Sequence, residues 1–164
     1  MSRFVISVYV DNQIGVLTRV TSLFTRRGFN IDTLTVGETE RREYSRITIS
    51  MNGDCYARDQ LINQLKKQVN VKKVEILDDD AIQRELMLIK VENASENRSD
   101  IMTAVDVFRA NVIDYSPTAM CIEVTGNPSK IDAFVKLMEP FGILEMCRTG
   151  IVALDRGEKT LFSK

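Results

Sequence analysis

The sequence predicts an α+β protein of two domains that share one element order, β-α-β-β-α-β. Three observations lead there. Short alternating apolar runs are interleaved with stretches whose apolar residues recur every three and four positions. The full strand and helix order is complete by Leu77 and then repeats in looser form. Between the copies stands Asp78-Asp79-Asp80, three adjacent like charges that cannot be buried cheaply and so mark a linker or solvated loop.

In the first copy, residues 3–10 alternate as a strand, with Phe4, Ile6 and Val8 against Val5, Ser7 and Tyr9. Asp11-Asn12-Gln13-Ile14-Gly15 is a turn. Leu17, Val20, Leu23 and Phe24 form the apolar stripe of a helix from about 15 to 27. Gly28 ends it as a left-handed C′ residue. Residues 31–36 are a second strand rich in β-branched residues. A polar hairpin loop, 37–43, leads to a third strand at 44–51. Asp54 is placed to cap the next helix, marked by Ala57, Leu61, Leu65 and Val69, with Ile62 widening the face. Residues 71–77 are the fourth strand.

The second copy opens with a strand at 86–91. Ile101, Met102, Val105 and Phe108 form its first helix stripe. Residues 112–115 and 120–124 are strands. Asn127-Pro128 starts a helix, Asn as cap and Pro in the first turn, which runs through Ile131, Phe134 and Met138 to Pro140. Apolar runs at 143–146 and 151–154 follow. Asn30-Ile31-Asp32 echoes Val112-Ile113-Asp114 at an offset of 82, and the echo is read as the same place in both copies. The resulting division is 1–78 and 79–164, two ferredoxin-like βαββαβ domains, each with four antiparallel strands under two helices. In that order the second strand is a sheet edge. Thr33, Thr35 and Val36 give it a flat rim that pairing with another copy would cover, so a homodimer is expected.

Composition narrows the function classes. The chain has 164 residues, 44% hydrophobic, with 22 Lys+Arg against 23 Asp+Glu. No basic block supplies a nucleic-acid footprint. No secretory hydrophobic region or membrane-length apolar run stands out, so cytoplasmic residence and no membrane association are expected. Histidine is absent, which removes the commonest neutral-pH general base and metal ligand. Cys55, Cys121 and Cys147 fit neither a disulfide framework nor a metal knuckle. The methionines are scattered like core or interface filler. Asp32 and Asp114 are ordinary strand-end acids, and Glu38 and Glu40 solvate a hairpin. The expectation is no catalytic residue and no metal site.

Chemistry is left to Asn12, Gln13, Ile14, Gly15, Val16 and Leu17. Backbone N–H groups at a helix start are unpaired, carry the positive end of the helix dipole, and hold carboxylates without a cationic side chain. Gly15 permits close approach, Asn12 adds an amide that donates and accepts, and Ile14, Val16 and Leu17 offer an apolar wall. The plainer alternative is that Asn12 makes a turn and Gly15 relaxes the helix start. Asn30, beside Ile31, is a second candidate. Across a twofold axis it would approach the glycine turn of another chain, while a local turn hydrogen bond explains it equally well.

These residues also carry a resemblance. The stretch 8–20 is similar to the opening of an ACT domain. The continuation 23–36, from Leu23-Phe24-Thr25-Arg26-Arg27-Gly28 to Thr35-Val36, resembles the acetolactate synthase (acetohydroxyacid synthase) small subunit. So do Ser45-Arg46-Ile47-Thr48-Ile49, Arg84-Glu85-Leu86-Met87-Leu88-Ile89-Lys90-Val91, the stretch 108–114, Glu123-Val124-Thr125-Gly126 and the stretch 148–154. The resemblance implies that the first domain is an ACT domain which dimerises and binds an effector at the interface. It implies a non-catalytic subunit in valine, leucine and isoleucine biosynthesis, partnered with a large catalytic subunit. That partner, by resemblance, uses thiamine diphosphate, Mg2+ and FAD, while this chain binds no cofactor. The small subunit would activate it and confer feedback control, usually by valine. Gly15, Asn12 and Asn30 are the effector residues the resemblance favours. Gln13-Ile14 departs from the acidic or small residues usual there, which bears on effector preference. The competing readings are an amino acid sensor acting on another enzyme and a dimerisation module without a ligand.

Overall fold

The computed structural model describes residues 2–162. Met1, Ser163 and Lys164, covered by the sequence division, lie outside the described residues. The chain forms two compact units, one running to Ile82 and taking up the chain again from Ile151, the other Gln83–Gly150.

The first unit contains β1 (Ser2–Asp11), α1 (Val16–Arg26), β2 (Thr33–Glu38), β3 (Tyr44–Gly53), α2 (Cys55–Leu65) and β4 (Val71–Ile76). The strands form one antiparallel sheet in the order β2-β3-β1-β4. This is the expected order, with β2 at the edge. Ile6, Val8 and Val10 of β1 join Ile47, Ile49 and Met51 of β3 in the core under both helices. α1 contributes Val16, Val20, Leu23 and Phe24, whereas Leu17 points outward. The stripe therefore begins at Val16, one residue earlier than its sequence spacing suggested.

Gly28 ends α1 with φ +69°. Its N–H donates to Thr25 O, and that of Phe29 donates to Phe24 O at 2.9 Å, the bonding of a Schellman cap. Asp54 caps α2 by accepting from Ala57 N at 2.7 Å. α2 stops at Leu65, and Val69 lies beyond it, exposed to solvent.

The sheet face away from the helices would ordinarily meet water. Here Val5, Ser7, Tyr9, Thr48 and Ser50 on that face are buried. The chain after Gly150 contributes to the cover. Ile151 and Ala153 pack with Val5, Leu77 and Ala81. Phe162 meets Tyr9 edge-on, ring centroids 4.9 Å apart. Arg46 Nη2 donates to Ala153 O at 3.0 Å. The aspartate run is tied to the same segment. Asp78 N donates to Asp155 Oδ1, Lys159 Nζ lies 2.6 Å from Asp78 Oδ2, and Arg156 Nε donates to Asp80 O. The sequence division placed 151–164 in the second domain. The structure groups residues 151–162, with the short strand β9 (Val152–Leu154), with the first unit, where Ile151 and Ala153 pack with Val5, Leu77 and Ala81.

The second unit contains β5 (Ile82–Glu92) from its second residue on, α3 (Arg98–Val107), β6 (Asn111–Tyr115), β7 (Ala119–Gly126), α4 (Pro128–Met138) and β8 (Ile143–Arg148). A single 3₁₀ turn, Glu139–Phe141, follows α4. Sheet order β6-β7-β5-β8 repeats that of the first unit. Met87, Ile89, Val91, Met120, Ile122 and Val124 face Ile101, Phe134 and Met138 of the helices. Met102, assigned to the helix stripe, is instead exposed, with Ala104 taking the inward position. Asn127 caps α4 through Lys130 N, with Pro128 in the first turn.

The echo at offset 82 is not structural. Asn30-Ile31-Asp32 lies in the connection before β2, whereas Val112-Ile113-Asp114 lies inside β6. The helix ends are the true correspondence. Arg109 N donates to Asp106 O and Ala110 N to Val105 O, repeating the bonds of Gly28 and Phe29. Arg109 therefore holds the left-handed position, at φ +51°, that Gly28 holds in the first unit.

Two predictions follow from the caps and the cover. Left-handed backbone costs a non-glycine residue about 1 kcal/mol, so Arg109→Gly should stabilise and Gly28→Ala destabilise by about that amount in urea denaturation. A Cβ at Gly28 would meet nothing within 4 Å, so its cost is conformational alone. Ile151, fully buried, should cost about 3 kcal/mol when truncated to Ala, read as a lowered denaturation midpoint.

Candidate functional site

The candidate turn joins β1 to α1 and is held by the strands beside it. Asp11 N donates to Asn70 O at 2.9 Å, and Asn12 N donates to Glu43 O at 2.8 Å. The Asn12 amide donates to Arg42 O at 3.0 Å and to Glu38 Oε1 at 3.3 Å. Asn12 thus fastens the turn to the β2–β3 hairpin, and its carbonyl oxygen is the part left for a ligand. Asn70 also links Arg19, at 2.9 Å, to Asp11, at 3.3 Å. The supporting roles of Asn70, Glu38 and Arg42 were not foreseeable, because each lies 26 or more residues from its partner.

Gly15 has φ +83° and ψ −7°, and a Cβ there would meet nothing within 4 Å. The glycine is required by its backbone conformation, and the space above it is open. Arg19 N donates to Gly15 O, the first helical bond of α1. The helix start has no side-chain cap and no acidic residue in its first turn. Its positive end is therefore not neutralised from within the helix, which suits an incoming carboxylate.

The apolar wall is divided. Ile14 is fully exposed and Leu17 is 40% exposed, so both flank the open turn. Val16 is 4% exposed and points into the core, where it supports the turn from below. Gln13 is exposed.

Asn30 is exposed, and its amide donates to Asp32 Oδ1 at 3.4 Å, the local turn bond of the plainer reading. Asp32 also accepts from Asn52 Nδ2 at 2.7 Å, and its N–H donates to Ser50 O. Asp32 is therefore a structural tie. Ile31 is half-buried against the core. Gly15 and Asn30 flank opposite ends of α1, whose 11 residues make it about 16 Å long. Within one chain the two cannot touch the same small ligand. The edge strand β2, with Val36 exposed, is the element through which a second copy could bring them together.

The second unit holds a tight charge cluster. Arg148 on β8 bonds Glu85 on β5 through Nε at 3.1 Å and through Nη2, and bonds Asp132 on α4 at 2.8 Å. Burial acts against the Arg148 charge, yet hydrogen bonds to Glu85 and Asp132 leave its pKa raised. Glu85 is 2% exposed and its Oε1 has no partner. The cluster joins sheet to helix. Among the described residues no group of three His, Cys, Asp or Glu side chains is arranged to hold a metal ion. Cys55, Cys121 and Cys147 are free thiols. No helix among the described residues is long and apolar enough to cross a membrane.

Two ferredoxin-like units, the first with an open glycine turn and an exposed edge strand, define a protein of the ACT class. Residues 6–73 match the family model described as the acetohydroxyacid synthase small subunit-like ACT domain, and residues 84–157 that of the small subunit of acetolactate synthase. The chain belongs to the acetolactate synthase small-subunit family. It is 46% identical over 155 residues to the acetolactate synthase small subunit of Mycobacterium bovis, covering 94% of this chain and 92% of that one. It is 47% identical over 154 residues to a probable acetolactate synthase small subunit of Archaeoglobus fulgidus, covering 94% and 97%. The crystal structure of the Thermotoga maritima small subunit superimposes with a TM-score of 0.90 at 39% identity, covering 97% of this chain and all of the other.

The charge cluster yields a stability prediction. Arg148→Met strands a buried carboxylate and should destabilise by about 3 kcal/mol or more. Adding Glu85→Leu should recover most of that loss, measured by urea unfolding.

Proposed function

We propose that this chain is the non-catalytic regulatory subunit of acetolactate synthase, acting in the cytoplasm on a thiamine-diphosphate-dependent large subunit. It raises that subunit's activity and makes it sensitive to a branched-chain amino acid, valine first. Thiamine diphosphate, Mg2+ and FAD belong to the catalytic partner, and this chain carries none of them. The observation that carries the reading is the match of both units to one family, with an uncapped helix start over an open glycine in the first.

The effector site forms between two copies that pair through β2. The valine carboxylate sits over the N–H groups at the start of α1, near Ile14 to Leu17. Its ammonium meets the side-chain oxygen of Asn12 and that of Asn30 from the other copy. Its isopropyl group lies on Ile14 and Leu17. Such a ligand is bound only by the paired state, so it shifts the pairing geometry, and the shift reaches the catalytic subunit as a coupling free energy.

The test is calorimetric titration with valine, leucine and isoleucine, paired with reconstitution of the large subunit. Gly15→Asp places a carboxylate where the ligand's would sit, and Asn30→Ala removes an ammonium partner. Each should weaken valine binding at least about tenfold, the worth of one charge-assisted hydrogen bond, while leaving activation of the large subunit in place. Wild-type affinity in both variants would refute this placement. Pyruvate turnover by the isolated chain would refute the non-catalytic reading.

A further inference from the structure

The first unit contains a second recess that the turn does not use. It lies on the sheet face away from α1 and α2, beside the segment that follows Gly150, and has a volume of about 520 Å3. That is within the range of small-molecule sites. Leu77, Leu161 and Phe162 form an apolar side.

The charges are arranged unusually for a simple surface dent. Arg46 lines the recess and spends one donor, Nη2, on Ala153 O, while its buried Nε has no partner. Burial acts against the Arg46 charge, with Asp155 and Glu40 opposing that effect. Asp155 is already engaged, accepting from Asp78 N and pairing with Lys159 at 3.6 Å. Lys159 in turn is held by Asp78. Glu40 is exposed, and its charge acts on Arg46. The Arg46 guanidinium and the Glu40 carboxylate thus act on each other through their charges without a direct salt bridge, and Arg46 keeps an unused donor.

The balance of charge selects the ligand. Glu38, Glu40 and Asp155 line the recess against Arg46 and Lys159, three acids and two bases. A simple anion meets a lining of net negative charge. A simple amine leaves the spare Arg46 donor unpaired. A zwitterion satisfies both. We propose that this recess binds a free amino acid with an apolar side chain, carboxylate toward Arg46, ammonium toward Glu40, and side chain against Leu77, Leu161 and Phe162. Each chain holds one such site by itself. It needs no second copy and does not rest on the interface site proposed above.

The experiment uses the full chain carrying both Gly15→Asp and Asn30→Ala, so that the turn cannot contribute. L-Leucine, 4-methylpentanoate and 3-methylbutylamine are titrated separately by calorimetry and ligand-observed NMR, up to about 10 mM, enough to detect a millimolar site. Leucine should saturate at one per chain. The deaminated acid and the decarboxylated amine should each bind at least about tenfold more weakly, as should leucine after Arg46→Gln or Glu40→Gln, each losing one charge-assisted contact. Glu40 is exposed, so Glu40→Gln tests the contact without threatening the fold. Three results would overturn the site: no saturation by leucine, equal binding of the acid or the amine, or unchanged leucine affinity in Glu40→Gln.

Discussion

The first unit depends on burying β1 from both sides. Val5 through Val10 are at most 5% exposed, every residue of a six-residue run. Ile6, Val8 and Val10 face the helices, and Val5, Ser7 and Tyr9 face the other way. A two-layer sandwich supplies only the first of these covers. The segment from Ile151 to Phe162 contributes to the second, so the stability of the first unit includes residues more than a hundred positions away. The burial has a cost. Ser7 Oγ lies inside with no hydrogen-bond partner, worth about 1–3 kcal/mol of lost solvation.

That rigid central strand fixes where the turn after it emerges. Asp11 and Asn12 are bonded to the neighbouring strands on either side, through Asn70 and through the β2–β3 hairpin. Gly15 then needs only its left-handed backbone to start α1 with no side-chain cap and open space above the glycine. The effector-binding reading draws on this combination of a fixed frame and an unneutralised helix end. α1 also separates the turn from Asn30 by its own length, which makes a site that uses both a property of two chains.

The two units show how one topology tolerates different local chemistry. Both helix ends make the same pair of capping bonds, one with Gly28 and one with Arg109 in the left-handed position. The connection then differs. The first unit uses residues 29–32 before β2 begins, whereas β6 begins at Asn111, two residues after its cap. The extra residues are those that place Asn30 and tie Asp32 to Asn52 and Ser50.

Sequence alone determined what depends on neighbours within a few residues. Strand alternation, helix stripes, the Gly28 stop, and the Asp54 and Asn127 caps were all legible, because each rests on a local period or a local hydrogen bond. From these came the element order, and with it the edge position of β2. The glycine turn was legible as a helix start, and the family resemblance was carried by contiguous residues. Long-range packing decided the rest. Leu17 and Val16 exchange roles because both continue the stripe of Val20, Leu23 and Phe24 at helical spacing, and only packing against the sheet shows that Val16 is the buried one. Asn30-Ile31-Asp32 and Val112-Ile113-Asp114 look alike, yet sheet pairing places one before a strand and the other within it. The assignment of Ile151–Phe162 to the first unit has no local signal at all. It arises because Val5 and Tyr9 on the second face of the first sheet are covered there, and only the folded chain shows that Ile151, Ala153 and Phe162 lie against them.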